Sequence, residues 1–155
     1  MADTSGIRAF PPLIAAAGIA VGLALTFLYP VPIVDHTSER TLFGLGVVFL
    51  VLWLGLAISA NLTFRRKGTP VNPYVPTTAL AQGGPYRFTR NPMYLGLVLM
   101  TVGFALVMNS MWLILIAVPV MLALRSLVIV HEEKYLEGKF GDEYRAYSKR
   151  VRRWL

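Results

Sequence analysis

Four runs of apolar residues organise the chain: Phe10 to Tyr29, Leu42 to Leu62, Pro92 to Met108 and Met111 to Val130. The first two have the ~20 residues that a helix needs to cross a ~30 Å hydrocarbon core, and the "YPVP" of Tyr29 to Pro32 closes the first. Only Asn109 and Ser110 separate the third run from the fourth, which predicts a tight antiparallel helical hairpin. No segment alternates as a half-buried strand does, so the fold predicted is an all-α, integral membrane four-helix bundle occupying residues 1–155 as one domain. Beyond Val130 the pattern changes. Gly138 and Gly141 are expected to interrupt the helix, with Asp142 placed to cap a restart. Tyr144, Tyr147, Val151 and Trp154 then recur at spacings of three and four opposite a basic face. They predict a short amphipathic helix, either an interfacial anchor or a lid over a cavity.

Composition sharpens this picture. The chain has 155 residues, is 55% hydrophobic and only 15% charged, and its mean hydropathy of +0.58 belongs in a bilayer. Asp3 and Arg8 are the only charges before the first run and no A-x-A-like cleavage site follows it, so it reads as a retained helix rather than a signal peptide. The absence of cysteine excludes disulfides, a thiolate nucleophile, iron–sulfur chemistry and a radical cysteine triad. His36 and His131 lie far apart and Asp3, Asp35 and Asp142 are scattered, which argues against a metal site and metal-dependent lipid phosphotransfer. The "GLG" of Gly44 to Gly46 sits inside a span and reads as packing rather than a nucleotide loop. Gly18 and Gly22 form a G-x-x-x-G step, used for close helix packing and in some proteins as a dimer seam, so monomer and homodimer both stay open.

The net charge of +7 is distributed unevenly. Residues 63–91 carry Arg65, Arg66, Lys67, Arg87 and Arg90 without an acid, whereas residues 31–41 hold Asp35, Glu39 and Arg40. The positive-inside rule therefore places the basic loop and both termini on the cytoplasmic side, in a cell (inner) membrane. Attraction to anionic lipid headgroups accounts for Arg65, Arg66, Lys67, Arg152 and Arg153, and no soluble domain presents these charges to nucleic acid. Arg125 is different. It follows fourteen residues after Ser110, about 21 Å of helix, which puts it inside the bilayer edge or in a polar cavity; such a group is a functional candidate, with snorkelling as its plain alternative. At about 100° per residue, Glu132 falls nearly on the face of Arg125 and Glu133 about 80° away. Glu137 with Lys134 and Lys139 reads as an ordinary salt-bridged helix end.

"RFTRNPMYLG", followed after one hairpin by "HEEKYLEGKFGDEYRAYSKRV", resembles the isoprenylcysteine carboxyl methyltransferase and phospholipid methyltransferase family of integral membrane enzymes. The likeness covers Gly84 to the C-terminus. It implies S-adenosylmethionine as methyl donor, held by residues 83–155 at the cytoplasmic ends of the last two helices. The cofactor residues it points to are Tyr86, Arg90, Asn91, Pro92, Tyr94, Gly96, Arg125, His131, Glu132 and Glu133, and the catalytic ones are Arg90, Glu133 and Arg150. Asn91 stands where family members often carry histidine in Arg-His-Pro; it keeps that residue's hydrogen bonding but cannot act as cation or general acid. The family's closing Val-Pro-Arg is altered too, since Arg152 follows Val151.

The donor's own chemistry fits these residue types. Glu132 and Glu133 suit its ammonium or ribose diol, Arg90 or Arg125 its carboxylate, and Tyr86 or Tyr94 its adenine. Pro92 suits a first helical turn, and Gly96 would let a ligand approach the backbone. The expected acceptor is lipophilic, most like the carboxylate of an isoprenylcysteine, which Arg150 would orient; the alternative is an aminophospholipid whose proton Glu133 would take. A non-enzymatic membrane adaptor subunit shares the basic face and amphipathic tail. It has no need of Glu132, Glu133 and Asn91 together near one hairpin.

Overall fold

The computed structural model describes residues 6–155 apart from Arg8 and Pro73, so the charges Asp3 and Arg8 before the first span lie outside the described residues. Every regular element among those residues is helical: α1 (Pro11–Leu28), α2 (Glu39–Lys67), α3 (Pro92–Val107), α4 (Met111–Leu124), α5 (Val130–Phe140) and α6 (Asp142–Arg150), with short 3₁₀ turns at His36–Ser38 and Gly84–Arg87. Prolines open α1 and α3, where a missing N–H costs nothing. Ser110 caps α4 by accepting from the Leu113 N–H at 3.3 Å. Gly68, at φ 64°, ends α2 in the left-handed conformation that glycine adopts freely, after Arg65, Arg66 and Lys67 have placed positive charge at the helix's negative end.

Three helical stretches are long and apolar enough to cross a membrane: Pro11–Leu28, His36–Lys67 and Met111–Phe140. Pro92–Val107 is a shorter apolar helix packed mainly on α2 and also on α4, so the chain is a membrane-associated helical protein. Small residues set the approach of the helices, as expected where lipid gives no hydrophobic drive for association. Gly18 and Gly22 seat α1 on α4: a Cβ added there would stand 2.4 Å from Val120 Cγ2 and Leu113 Cδ2 respectively. The G-x-x-x-G step is thus filled within the chain. Gly22→Val is expected to cost about 1–3 kcal/mol of stability through overpacking, measured as a lowered unfolding midpoint in detergent.

At one end of the bundle Asn109, at φ 47°, turns α3 into α4. Its Oδ1 accepts from the Ile33 and Val34 N–H groups at 2.8 and 3.1 Å, and its Nδ2 donates to the Val34 carbonyl at 2.9 Å, tying the hairpin to the loop between α1 and α2. The opposite end gathers the N-terminus of α1, where Phe10 stacks on Tyr74, the C-terminus of α2, the 3₁₀ turn at Gly84 and the whole tail.

Two features of the tail depart from the sequence pattern. The helix from Met111 continues to Phe140 through a π-helical turn at Arg125–Ile129, and Gly138 lies within it without a break. The interruption is at Gly141, whose φ of 51° turns the chain and serves as N-cap of α6; Asp142 stands in the first turn and binds Arg145 at 2.7 Å. Glu137 also faces Arg145, at 3.7 Å. Tyr144 and Tyr147 are buried with Leu80 against Leu136, Phe140 and Val151, so α6 folds back upon α5 and the loop preceding α3. Val151 and Trp154 come after α6 ends.

Candidate active site

Where α5 leaves the bundle, Glu132 and Glu133 enter different environments. Glu133 accepts two hydrogen bonds from one guanidinium, Arg153 Nε at 3.0 Å and Nη2 at 2.6 Å, and its Oε1 lies 3.3 Å from Arg90 Nη2. This is a bidentate, charge-assisted grip with a second cation on the same carboxylate. Arg90, only 15% exposed, also donates through Nη1 to the Tyr144 hydroxyl at 3.3 Å, while its Nε is buried without a partner. Glu132 instead accepts from the Tyr94 hydroxyl, at 2.7 Å.

The tail is laced to the start of α3 by backbone as well. The Arg90 N–H donates to the Arg152 carbonyl at 2.9 Å, and the Arg153 carbonyl accepts from Asn91 Nδ2 at 3.0 Å and from the Thr89 hydroxyl at 3.1 Å. Asn91 precedes Pro92, whose ring removes the helical option for the residue before it; the amide is thereby held at the N-cap, aimed at the tail. Tyr147 donates to the Tyr86 carbonyl at 2.8 Å, and Tyr86 stands edge-on to Phe64 of α2.

Together these groups enclose a cavity of about 40 Å³ lined by Phe64, Leu80, Leu136 and the polar groups Tyr86, Arg90, Asn91, Glu132, Glu133, Tyr144 and Tyr147. Burial, then the negative charges of Glu133 and Glu132, raises the Tyr144 phenol to about 12, with Arg90 opposing. Burial likewise pushes Tyr86 and Tyr147 upward, so all three phenols remain protonated hydrogen-bond donors at neutral pH. The hydrogen bonds to Glu133 raise the Arg153 guanidinium further above its ordinary range.

Of the residues singled out from sequence, Tyr86, Arg90, Asn91, Glu132 and Glu133 line this cavity, and Tyr94 reaches it through Glu132. Pro92 is fully buried at the head of α3. The rest lie elsewhere. Gly96 faces α2, where a Cβ would stand 3.1 Å from Trp53 Cδ1. Arg150 is exposed and donates to Gln82 at 3.1 Å. His131, with a buried and unpartnered Nδ1, is not among the lining residues. Arg125 is exposed on the outer surface and does not share a face with Glu132. The reason is the π turn at Arg125–Ile129, which takes up one more residue than an α turn and rotates everything beyond it by about 100°. Arg153, assigned from sequence to headgroup attraction, instead binds Glu133. Tyr144, Thr89 and Phe64 also join the site, and only the aromatic spacing of Tyr144 with Tyr147 signalled any of them.

A second space adjoins the first. A largely apolar groove of about 450 Å³ is lined by Phe10, Pro11, Trp53, Ala57, Met93 and Leu97, with Asn61, Asn72 and Tyr94 as its polar members. A small polar cavity shares Met93 and Tyr94 with the groove, and Arg90, Asn91 and Glu132 with the ion-paired site. The Tyr94–Glu132 pair thus stands between an apolar groove and a charged pocket. Among the described residues no group of histidine, aspartate and glutamate is arranged to hold a metal.

An uncharacterised protein of Haemophilus influenzae is 43% identical over 63 residues, which are 41% of this chain and the whole of that relative. No solved structure matches. The family model described as phospholipid methyltransferase matches residues 40–143, from the first turn of α2 to the first turn of α6, and so takes in both glutamates and the Arg90–Asn91–Pro92 corner. With about two thirds of its length within that match, the chain belongs to the phospholipid methyltransferase family.

Proposed function

We propose that the protein transfers a methyl group from S-adenosylmethionine to the polar head of a lipophilic acceptor at the cytoplasmic face of the membrane. The observation that supports this most is the junction of a charged, aromatic pocket with an apolar groove at Tyr94 and Glu132. The pocket's groups fit the donor: Glu133 for an ammonium or a diol, the free Nε of Arg90 for a carboxylate, and Phe64, Tyr86 and Leu136 for an aromatic base. Bound there, the donor supplies an electrophilic methyl on a sulfonium.

What the chain contributes is alignment and exclusion of water. The groove orients the acceptor by its apolar part. Tyr94 and Glu132 receive its head, and α6 with the tail covers the pocket from the water side. A cavity of about 40 Å³ is too small for the donor, so the tail that Arg153 ties to Glu133 must open for the donor to be bound. An isoprenylcysteine-like carboxylate has no proton to lose, so alignment alone is asked of the chain. An aminophospholipid must release a proton, and Glu132 suits that task better than Glu133, which two guanidinium groups already hold.

The test is transfer of labelled methyl by protein reconstituted in vesicles, offered a prenylated cysteine acid or an aminophospholipid. Label in the lipid fraction, with Glu132→Gln reducing amine methylation about 10²–10⁴-fold and carboxylate methylation far less, is the expected result. Failure of folded protein to bind S-adenosylhomocysteine would overturn the reading and leave an adaptor role.

A further inference from the structure

We infer that the outer face of α2 carries a discrete site for one anionic phospholipid, separate from the proposed active site. A groove of about 430 Å³ lies along Gly55, Ile58, Leu62 and Arg66, with Lys67 and the Gly83–Gly84 backbone at its polar end. The spacings of three and four put these side chains on one face of the helix. From Gly55 to Arg66 the helix rises about 16 Å, close to half of the ~30 Å hydrocarbon core. The groove is therefore as deep as one leaflet, apolar toward the midplane and cationic at headgroup level.

Its two ends each match a part of a lipid. Arg66 and Lys67 are exposed and make no ion pair among the described residues, so their charge faces whatever occupies the groove mouth. Gly55 has nothing within 4 Å of where a Cβ would sit, and Ile58 and Leu62 are about half exposed. Glycine in a helix interior costs about 0.5–1 kcal/mol relative to alanine, and no packing among the described residues requires it here, in contrast to Gly46 on the same helix. Vacant space at Gly55 is what an acyl chain lying against α2 needs. Ser59 and Thr63 line the same groove between the apolar stretch and the charges. A phosphodiester at Arg66 and Lys67 with its chain running to Gly55 satisfies both ends, whereas diffuse attraction to a charged membrane explains the cations and not the groove.

Native mass spectrometry of the detergent-solubilised protein titrated with phosphatidylglycerol tests this, beside phosphatidylcholine and sn-glycerol 3-phosphate. The expected result is one saturable phosphatidylglycerol adduct that glycerol phosphate does not displace and phosphatidylcholine displaces poorly. Arg66→Gln with Lys67→Gln should weaken it about tenfold or more, at about 1 kcal/mol per cation. Gly55→Leu, which fills the groove while keeping both charges, should weaken it comparably without lowering the unfolding midpoint. Lys134→Gln with Lys149→Gln, equal in charge removed, should leave it unchanged. Equal loss in that last pair, or unaltered binding in Gly55→Leu, would overturn the site in favour of diffuse attraction. Because the readout is lipid binding, its outcome is independent of whether methyl transfer is found.

Discussion

Glu133→Gln is expected to abolish measurable S-adenosylhomocysteine binding and to destabilise the tail, because one carboxylate holds three things together. Arg90 comes to it from the head of α3, Arg153 from beyond α6, and the Tyr144 hydroxyl joins through Arg90. A glutamine in its place cannot neutralise two guanidinium groups, of which Arg90 is 15% exposed. Removing one member of a buried pair costs about 3–5 kcal/mol, and the partial exposure of Arg153 reduces the expected loss here to about 2–3 kcal/mol. Glu137→Gln, on an exposed face of the same helix, should change stability by less than about 0.5 kcal/mol. Arg153→Gln separates the structural role from the binding role. It leaves Glu133 paired with Arg90 and frees the carboxylate from its bidentate partner in the tail, so it should bind S-adenosylhomocysteine at least as tightly as the wild type while unfolding earlier. Calorimetry and thermal unfolding on the same three variants give both readouts. Full binding by Glu133→Gln would show the carboxylate to be a strut of the tail only.

Much of the architecture was legible because a bilayer allows few solutions. Apolar runs of helical length, bounded by "YPVP" and by Asn109–Ser110, leave little choice of element type, and each run is helical, although the helix from Met111 continues past Val130 to Phe140. The corner at Arg90, Asn91 and Pro92 was legible for a local reason, since proline fixes both the helix start and the conformation before it. Arg125 was not. Projection around a helix assumes one turn angle throughout, and a single π turn defeats it without leaving any mark in composition. Arg153 was hidden differently: its partner is twenty residues away in sequence, across the reversal at Gly141, and one more arginine in a basic tail looks like every other. Gly96 and Gly46 were legible as small residues but not as to what fills the space beside them. That depends on which helix lies opposite, and Trp53 turned out to face Gly96.

Gly46→Val should be the most damaging change in the membrane-spanning part, and its reason is backbone rather than side chain. A Cβ at Gly46 would stand 2.7 Å from the Val107 nitrogen and 2.9 Å from the Gly103 carbonyl oxygen. Rotamer changes relieve a clash with a side-chain tip, as at Gly22 against Leu113, but they do nothing for a clash with the main chain of the neighbouring helix. α2 and α3 must then move apart along the contact that carries most of the packing of α3. Overpacking costs about 1–3 kcal/mol where side chains can adjust, so the loss here should reach or exceed the upper end of that range. Gly103 shares the contact, with its own Cβ position 2.8 Å from Leu50 Cδ2 and 3.2 Å from the Gly46 carbonyl oxygen. Combining Gly46→Val with Gly103→Ala should therefore cost less than the sum of the two, as neighbours at one contact do not add. Gly44→Ala gives the opposite sign two residues away: nothing lies within 4 Å of its Cβ position, and the gain in helix propensity should stabilise by about 0.5–1 kcal/mol. Unfolding midpoints for the three glycines decide the matter. If Gly44 and Gly46 respond alike, the close approach of α2 and α3 is not what holds α3, and with it the Arg90–Asn91–Pro92 corner, in place.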